Sequence, residues 1–266
     1  MDFATLIGFA GGIGILIWGV IQAGAGTTFL NTHGIIIVFG GTLAATFINS
    51  SIHDLLKAFK NLMSLFVATR FPSVPETITE VVRLATKARS GGGLIELQDE
   101  GREFAEGQLN RAITIAITSG EVKEAKRILG EDIRQKRFNQ MEDANLFRTM
   151  GILAPMFGLL GTLLGIIQVL RTISDPSKVG AAMALAISTA FYGISLANLL
   201  FVPVAGKIRT RAIQETLVLE ILVEGVLDIM ESKPPYLIEM HLLAYAEKKT
   251  LPEARPTMEV PAMEQT

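Results

Sequence analysis

The sequence predicts an all-α membrane protein with four transmembrane helices, of which the last two extend into a helical cytoplasmic region. The first observation is composition: 49% of the 266 residues are hydrophobic and 19% are charged, whereas about a quarter are charged in an ordinary soluble domain. The second is the distribution of charge. One charged side chain falls in 1–53 and three fall in 149–204, but 29 fall in 54–148 and 17 in 205–266. These blocks exclude an ordinary soluble domain.

The first block, 1–53, is expected to contain transmembrane helices 1 and 2. Residues 3–23 and 34–52 contain no Asp, Glu, Lys or Arg over about 20 positions each. An α-helix of about 20 residues spans about 30 Å, the thickness of the hydrocarbon core. Each stretch is therefore long enough to cross the bilayer once.

The third block, 149–204, is expected to contain transmembrane helices 3 and 4. Its apolar stretches, 149–170 and 179–204, are joined only by RTISDPSK. So short a connection predicts an antiparallel helical hairpin.

The distribution of Lys and Arg predicts how the spans are oriented. The short segment 24–33 has no Lys or Arg and 171–178 has two, whereas 54–148 has fifteen and the part after residue 204 has seven. Basic residues near transmembrane ends favour the cytoplasmic side. We therefore expect both termini and the long charged region to be cytoplasmic.

The cytoplasmic part is predicted to be helical. Apolar residues recur at helical spacing from Glu121 into span 3, and the pattern of span 4 continues to Lys233-Pro234-Pro235. Each of these helices would be about 50 residues, or about 75 Å, long. We expect 54–148 and 205–250 to be helical and cytoplasmic, and the Pro-rich, polar 251–266 to be a disordered tail.

The residues that are absent exclude several functions. The chain has no Walker A, HExxH or GxSxG motif and no cysteine, and its net charge is −2. We therefore expect no enzyme, no metal site, no cofactor and no nucleic-acid partner. The spans also contain no Asp, Glu, Lys or Arg, the groups with which transporters handle ions in the membrane. If the protein conducts ions, another chain should supply the titratable group.

Small residues at a spacing of four predict close helix packing within the spans. They are Gly8 with Gly12, Gly161 with Gly165, and Ala182, Ala186 and Ala190. Ser188, Tyr192 and Ser195 fall on one helical face, with Thr189 beside them. These side chains either line a wet or inter-subunit surface or bond the carbonyl four residues back, and the sequence leaves both open.

Two prolines lie near the cytoplasmic ends of spans 3 and 4. Pro155 removes the usual donor to the Gly151 carbonyl, and Pro203 does the same for Leu199. Each position is either a hinge between a span and its cytoplasmic extension or a static kink.

Sequence motifs at several places together resemble one family. APMFGLLGTLLG (154–165), ANLLFVPVAGK (197–207), the MD-x-AT-x-IG start and HGIIIVFGGT in span 2 are similar to the MotA and PomA flagellar stator proteins. These belong to the wider MotA/TolQ/ExbB proton-channel superfamily. The resemblance extends to about residue 235.

The resemblance implies an ion-conducting, torque-generating stator subunit of the bacterial flagellar motor in the inner membrane. It implies a homo-oligomer, a pentamer in the family, around a dimer of the single-span MotB or PomB, whose aspartate binds the transported ion. It also implies contact with the rotor protein FliG. The alternatives are an ExbB- or TolQ-like energiser of an outer-membrane system, which should have three spans, and a passive membrane scaffold.

The resemblance also assigns roles to residues. Pro155 and Pro203 match the coupling prolines, Thr162 matches the threonine beside the ion path, and Arg89 matches the arginine that meets the rotor. The family's usual Leu-Glu is Leu97-Gln98 here, so the acidic role passes to Glu96, Asp99 or Glu100.

The motif LTTLYG of the sodium stators corresponds to ISTAFYG here. The ion path would therefore include Thr189 and Tyr192, with Ala190 in place of the second threonine. Because sodium needs several oxygen ligands, we expect protons to be the coupling ion.

Overall fold

The computed structural model describes residues 3–22, 24, 31–66, 71–91 and 93–250. The predicted disordered tail, 251–266, lies outside the described residues. The described chain is helical, with no strand in these ranges. An all-helical fold is therefore confirmed.

The helices of the N-terminal half are mostly short. They are α1 (Phe3–Gln22), α2 (Thr32–Asn49, with a π-helical turn at Ile36–Gly40), α3 (Ile52–Phe66), α4 (Val74–Ser90) and α5 (Gln108–Ser119). Two 3₁₀ turns, Gly93–Leu97 and Phe104–Gly107, lie between α4 and α5.

Two long helical stretches dominate the C-terminal half. Helix α6 (Val122–Arg171) has 50 residues. After it, α7 (Pro176–Leu196), a π-helical turn (Ala197–Phe201) and α8 (Val202–Met230) follow without interruption, and α9 is Pro235–Thr250. The prediction of two helical stretches of about 50 residues is confirmed, since Lys178–Met230 counts 53.

Three of the described helical stretches are long and apolar enough to cross a membrane: Thr32–Asn49, Val122–Arg171 and Lys178–Met230. A fourth apolar stretch, Leu6–Gln22 of α1, is shorter. Three of the four predicted spans therefore have the length and composition of a membrane helix, and the four-span topology stays a prediction.

Local sequence explains where several helices begin and end. Asn31 caps α2 by accepting a hydrogen bond from the Gly34 amide at 3.1 Å. Ser73 and Glu76 form a reciprocal capping box at the start of α4. Gly120, at φ 65°, ends α5 in the left-handed conformation that glycine adopts without strain.

The described residues fold into two compact units, one within 3–66 and 135–213 and the other within 71–134 and 214–250. In the first unit, Leu55 and Ala58 of α3 pack with Phe147 and Met150 of α6 and Phe201 of the second π-helical turn. Phe59 meets the Phe147 ring edge-on, with 5.6 Å between centroids.

The second unit has its own core, built from α4, α5, α6, α8 and α9. Its fully buried side chains include Leu84, Leu109, Ile113, Leu222 and Leu242. This core anchors the first 3₁₀ turn beside α4, because Leu97 of that turn is completely buried in it.

Candidate functional site

Helices α6 and α7 cross with their backbones nearly in contact. A Cβ placed on Gly193 of α7 would lie 2.6 Å from the Ala154 oxygen and 3.1 Å from the Cα atoms of Pro155 and Gly158. The reverse substitution at Gly158 would place a Cβ 2.8 Å from the Thr189 oxygen. Only glycine fits at these two positions, neither of which the spacing-four pattern had identified.

The predicted small-residue contacts are found around this crossing. A Cβ on Gly161 would lie 2.5 Å from Thr189 Cγ2, and one on Gly165 would lie 2.7 Å from Ala186 Cβ. In α1, Gly12 approaches Leu199, but a Cβ on Gly8 would meet nothing within 4 Å. The predicted close packing at Gly8 is therefore wrong for contacts within the described chain.

Two threonine hydroxyls lie at the crossing, and each is oriented by backbone carbonyls. Thr162 Oγ1 is 3.0 Å from both the Gly158 oxygen and the Ala186 oxygen, so it bridges α6 and α7. Thr189 is fully buried and donates to the Leu185 and Ala186 carbonyls at 2.9 and 3.0 Å. With the hydrogen held by carbonyls, the free lone pairs of each oxygen can only accept.

Of the other candidate polar side chains, Ser188 bonds the carbonyl four residues back, and Tyr192 fits neither interpretation left open by the sequence. Ser188 is buried and donates to the Ala184 carbonyl four residues back, at 2.7 Å. Tyr192 is half-buried, and its hydroxyl instead accepts a hydrogen bond from the Asn31 amide at 3.2 Å. Ala190, where sodium stators have a second threonine, is half-buried and adds no oxygen.

The start of α2 completes this polar region, which the sequence had not indicated. A Cβ on Gly34 would lie 3.1 Å from Thr189 Cγ2 and 3.3 Å from Tyr192 Cε2. Helix α2 therefore begins against the face of α7 that carries the candidate ion-path residues. The start of this helix, though not its contact with α7, could have been predicted from Asn31, a favoured N-cap residue directly before the apolar run.

The two prolines occupy different settings. Pro155 is half-buried inside the unbroken helix α6, with its Cα against Gly193. Pro203 is exposed and follows the π-helical turn Ala197–Phe201. Such turns are helix irregularities that often lie at functional positions, and no sequence pattern predicted this one.

In the second unit, the candidate rotor-facing charges differ in their partners. Arg89 and Glu96 are exposed, and neither forms an ion pair or hydrogen bond within the part of the chain that the structure describes. The Glu96 carboxylate lies against the Cα of Gly91, where there is no side chain to displace it. Both charges are available to a partner.

The other two acidic candidates are already paired. Glu100 binds Arg83 at 2.8 Å and Lys87 at 2.6 Å, which ties the segment after the first 3₁₀ turn to α4. The Arg83 hydrogen bond, reinforced by Lys87, lowers the pKa of the Glu100 carboxyl to about 2. Asp99 pairs with Arg102 three residues on.

No group of three or more His, Cys, Asp or Glu side chains among the described residues is arranged to hold a metal ion. The candidate functional residues fall in two separate regions. In the first unit they lie at the crossing of the apolar helices α6 and α7, which carries hydroxyls and no carboxylate. In the second unit they are exposed charges of the segment around the first 3₁₀ turn.

Comparison with known proteins identifies the family. The model of the MotA/TolQ/ExbB proton channel family matches residues 97–221. The chemotaxis protein PomA of Vibrio alginolyticus is 30% identical over 246 residues, which cover 92% of this chain and 95% of PomA.

Solved structures show the same fold. The flagellar MotAB stator complex of Bacillus subtilis matches with a TM-score of 0.79 and 26% identity, covering 94% of this chain and 96% of that chain. A MotAB structure from C. jejuni matches with a TM-score of 0.82 and 21% identity, covering 96% and 98%. Since the likeness to PomA and MotA extends over almost the whole chain, this protein belongs to the MotA/PomA type of flagellar stator subunit within the MotA/TolQ/ExbB proton channel family.

Proposed function

We propose that this subunit assembles as a ring, with five copies as in its family, around a dimer of a MotB- or PomB-like single-span protein, and couples ion flow to flagellar rotation. The subunit crosses the bacterial inner membrane four times, with both termini in the cytoplasm. The similarity to MotAB stator complexes supports a partner of the MotB type.

One observation carries the coupling proposal: the crossing of α6 and α7 offers hydroxyl oxygens but no ionisable group. Thr162 is half-buried and presents lone pairs at this crossing, whereas Thr189 is fully buried and packs inside it. Oxygen lone pairs accept hydrogen bonds from a protonated carboxyl or a water. A carboxylate on the partner would therefore exchange its proton next to Thr162, while this chain supplies a neutral wall.

We assign protons as the coupling ion. A dehydrated sodium ion requires a larger set of oxygen ligands than a proton does. Ala190 contributes only a methyl group where the sodium stators carry a hydroxyl, so the wall around Thr189 is one ligand short.

We assign the rotor contact to Arg89 and Glu96 in the second unit, with FliG as the partner. Both charges are exposed and unpaired within the described chain, whereas Asp99 and Glu100 are engaged with basic side chains of their own subunit. Exposed ion pairs contribute about 1 kcal/mol or less each, which suits contacts that form and break as the motor turns.

The decisive experiment pairs this chain with the single-span protein of its own genome that carries a membrane aspartate. Co-purification from detergent-solubilised membranes, together with proton flux into vesicles that stops when the aspartate becomes Asn, is the expected result. A chain that purifies without the single-span protein, or flux that survives the substitution, contradicts the proposal.

A further inference from the structure

The first unit contains a polar cavity of about 290 Å³ at one end of spans 2 and 3. One wall is the turn between α2, which ends at Asn49, and α3, which begins at Ile52. The other wall is the part of α6 directly before span 3. The charged side chains of the lining are Asp54, Lys57, Glu142 and Asp143.

Asp143 is a buried carboxylate without a cationic partner in the described chain. The residue is 7% exposed, and its one hydrogen bond there is accepted by Oδ2 from Asn61 Nδ2 at 2.6 Å. Every fully buried side-chain nitrogen or oxygen of the described residues has a hydrogen-bond partner. The second oxygen of Asp143 has none, so it is open to the cavity that Asp143 lines. Because burying an unpaired carboxylate is costly, the cavity favours a cationic ligand.

The other charges of the lining narrow the chemistry of that ligand. Glu142 is exposed and Lys57 is half-buried, and neither forms an ion pair within the part of the chain that the structure describes. The described acidic residues are not arranged to hold a metal ion. A primary ammonium, with three N–H donors, suits separate carboxylates on one wall of a cavity. Since Lys57 offers a positive charge on the other wall, the lining matches a ligand that carries both signs.

The position of the cavity indicates where such a ligand comes from. Helices α2 and α6 are both long and apolar enough to cross a membrane, and the cavity lies where their apolar stretches end. Beside it, Ile48 and Ile52 are 89% and 65% exposed. Hydrocarbon on this side and a polar cavity next to it are the surroundings of a lipid whose head group enters the protein. Three carboxylates against one ammonium disfavour an anionic head group.

We propose that this cavity binds the head group of a zwitterionic phospholipid that carries a primary ammonium. The ammonium pairs with Asp143 and Glu142 of α6, and the phosphate pairs with Lys57 of α3. The acyl chains lie beside Ile48 at the end of span 2. The inference depends on α2 and α6 crossing the membrane, and it does not depend on the coupling ion or on the rotor contact.

The assembled complex with its single-span partner, delipidated in detergent, is titrated with phosphatidylethanolamine, and bound lipid is counted by native mass spectrometry. We expect one saturable site per subunit and at least about tenfold weaker binding of phosphatidylglycerol with the same acyl chains, because it lacks the charge-assisted hydrogen bonds of the ammonium. Equal affinities would mean that only the acyl chains are recognised. No saturable site would mean that a neighbouring subunit or the partner covers the cavity. Either result overturns the proposal.

Asp143→Asn tests the ammonium end, because it removes the charge but keeps an oxygen that can accept from Asn61. It should weaken phosphatidylethanolamine binding by about tenfold or more. The matched control on the same helix is Glu131→Gln, since Glu131 is exposed and does not line the cavity, and it should leave the affinity unchanged. Unchanged binding in Asp143→Asn would contradict the proposal.

Two lysines of α3 test the phosphate end independently. Lys57 lines the cavity, whereas Lys60 is exposed and does not. Lys57→Glu should lower the affinity for phosphatidylethanolamine by about tenfold, and Lys60→Glu should not change it. Equal losses in the two variants would indicate general surface charge and contradict a phosphate contact at Lys57.

A soluble competitor distinguishes a lipid from a free ligand with the same charges. Glycerophosphoethanolamine carries the head group without acyl chains, so it should displace the lipid only at far higher concentrations than the lipid itself requires. Displacement at equal concentrations would overturn the assignment to a lipid.

Discussion

Of the three candidate acids Glu96, Asp99 and Glu100, Glu96 alone has no cationic partner in the described chain. Reversing its charge removes no internal ion pair, so the fold should be unaffected while any external contact is lost. We expect Glu96→Lys to remove most of the swimming speed in a strain that lacks the chromosomal copy. Membrane levels and ring assembly should stay normal.

Asp99→Lys is the matched control, because Asp99 is also exposed but pairs within its own turn. It should reduce swimming far less than Glu96→Lys. If Asp99→Lys stops motility and Glu96→Lys does not, the acidic contact is misassigned, although a strong effect of Arg89→Glu would still support the rotor-facing surface.

Glu100 should act on stability in a pH-dependent way. Its pKa of about 2 lies below the ordinary value of 4.5 because of Arg83 and then Lys87. A carboxyl with a lowered folded-state pKa stabilises the fold above its unfolded-state pKa, and this contribution disappears as the pH falls through the folded-state value. Glu100→Gln should therefore lower the melting temperature at pH 7, by an amount that reflects about 1 kcal/mol.

The comparison is made by thermal unfolding of the purified chain across pH. The difference between Glu100→Gln and the unmodified protein should be constant above pH 4.5 and shrink between pH 4.5 and 2. A difference that is the same at pH 2 and pH 7 would exclude the ion pairs with Arg83 and Lys87 as its source.

At the residue scale, the resemblance supplied candidate positions, but the sequence could not show which of their side chains are already paired. The family pattern identified Arg89 and three candidate acids, but ion-pair choice depends on tertiary geometry. Arg83 and Lys87 lie on α4 and reach Glu100 thirteen or more residues away. No local pattern shows that this pairing leaves Glu96 free.

At the scale of elements, the crossing of α6 and α7 depends on Gly193. Alanine there would place Cβ 2.6 Å from the Ala154 carbonyl oxygen, a backbone atom that cannot move independently of its helix. Overpacking of this kind typically costs 1–3 kcal/mol, so about that loss of stability is expected for Gly193→Ala. Thermal unfolding of the purified subunit measures it.

Gly180 provides the control in the same helix, because a Cβ there would meet nothing within 4 Å. Gly180→Ala should be neutral or slightly stabilising, since alanine favours a helix by up to about 1 kcal/mol over glycine. Equal losses in both variants would show that the effect does not come from the crossing.

The π-helical turn before Pro203 leads to a prediction about coupling. Alanine at 203 restores a backbone N–H, so α7 and α8 could continue as one regular helix. We expect Pro203→Ala to slow swimming strongly while the single-span partner still co-purifies. Unchanged swimming would mean that the proline is only a static kink, and loss of the partner would assign it to assembly instead.

The long helices were predictable because their apolar periodicity has no strong breaker over about 50 residues. The two π-helical turns could not be predicted, since Ile36–Gly40 and Ala197–Phe201 are as apolar as the regular helix around them. The backbone contact of Gly158 and Gly193 was also missed, because each glycine has its partner on the other helix and not four residues along its own.

For the whole molecule, charge is divided between the parts of the chain. Apolar spans without Asp, Glu, Lys or Arg keep any ion path of this subunit neutral, and the second unit carries the dense ion pairing of α4 and its turns. A subunit that carried protons across the membrane by itself would need a titratable group in its spans. On the function proposed above, that group comes from the partner.

That dependence makes the coupling ion a property of the assembled motor, and it can be measured in swimming cells. With Ala190 in place of a hydroxyl beside Thr189, we expect swimming speed to stay flat across a sodium series at fixed pH and to fall when a protonophore collapses the proton gradient. A speed that rises with sodium and saturates would instead require a sodium site assembled from Thr162, Thr189 and partner oxygens. Ala190→Thr tests whether residue 190 lines the ion path. The added hydroxyl should make swimming speed depend on sodium only if it does.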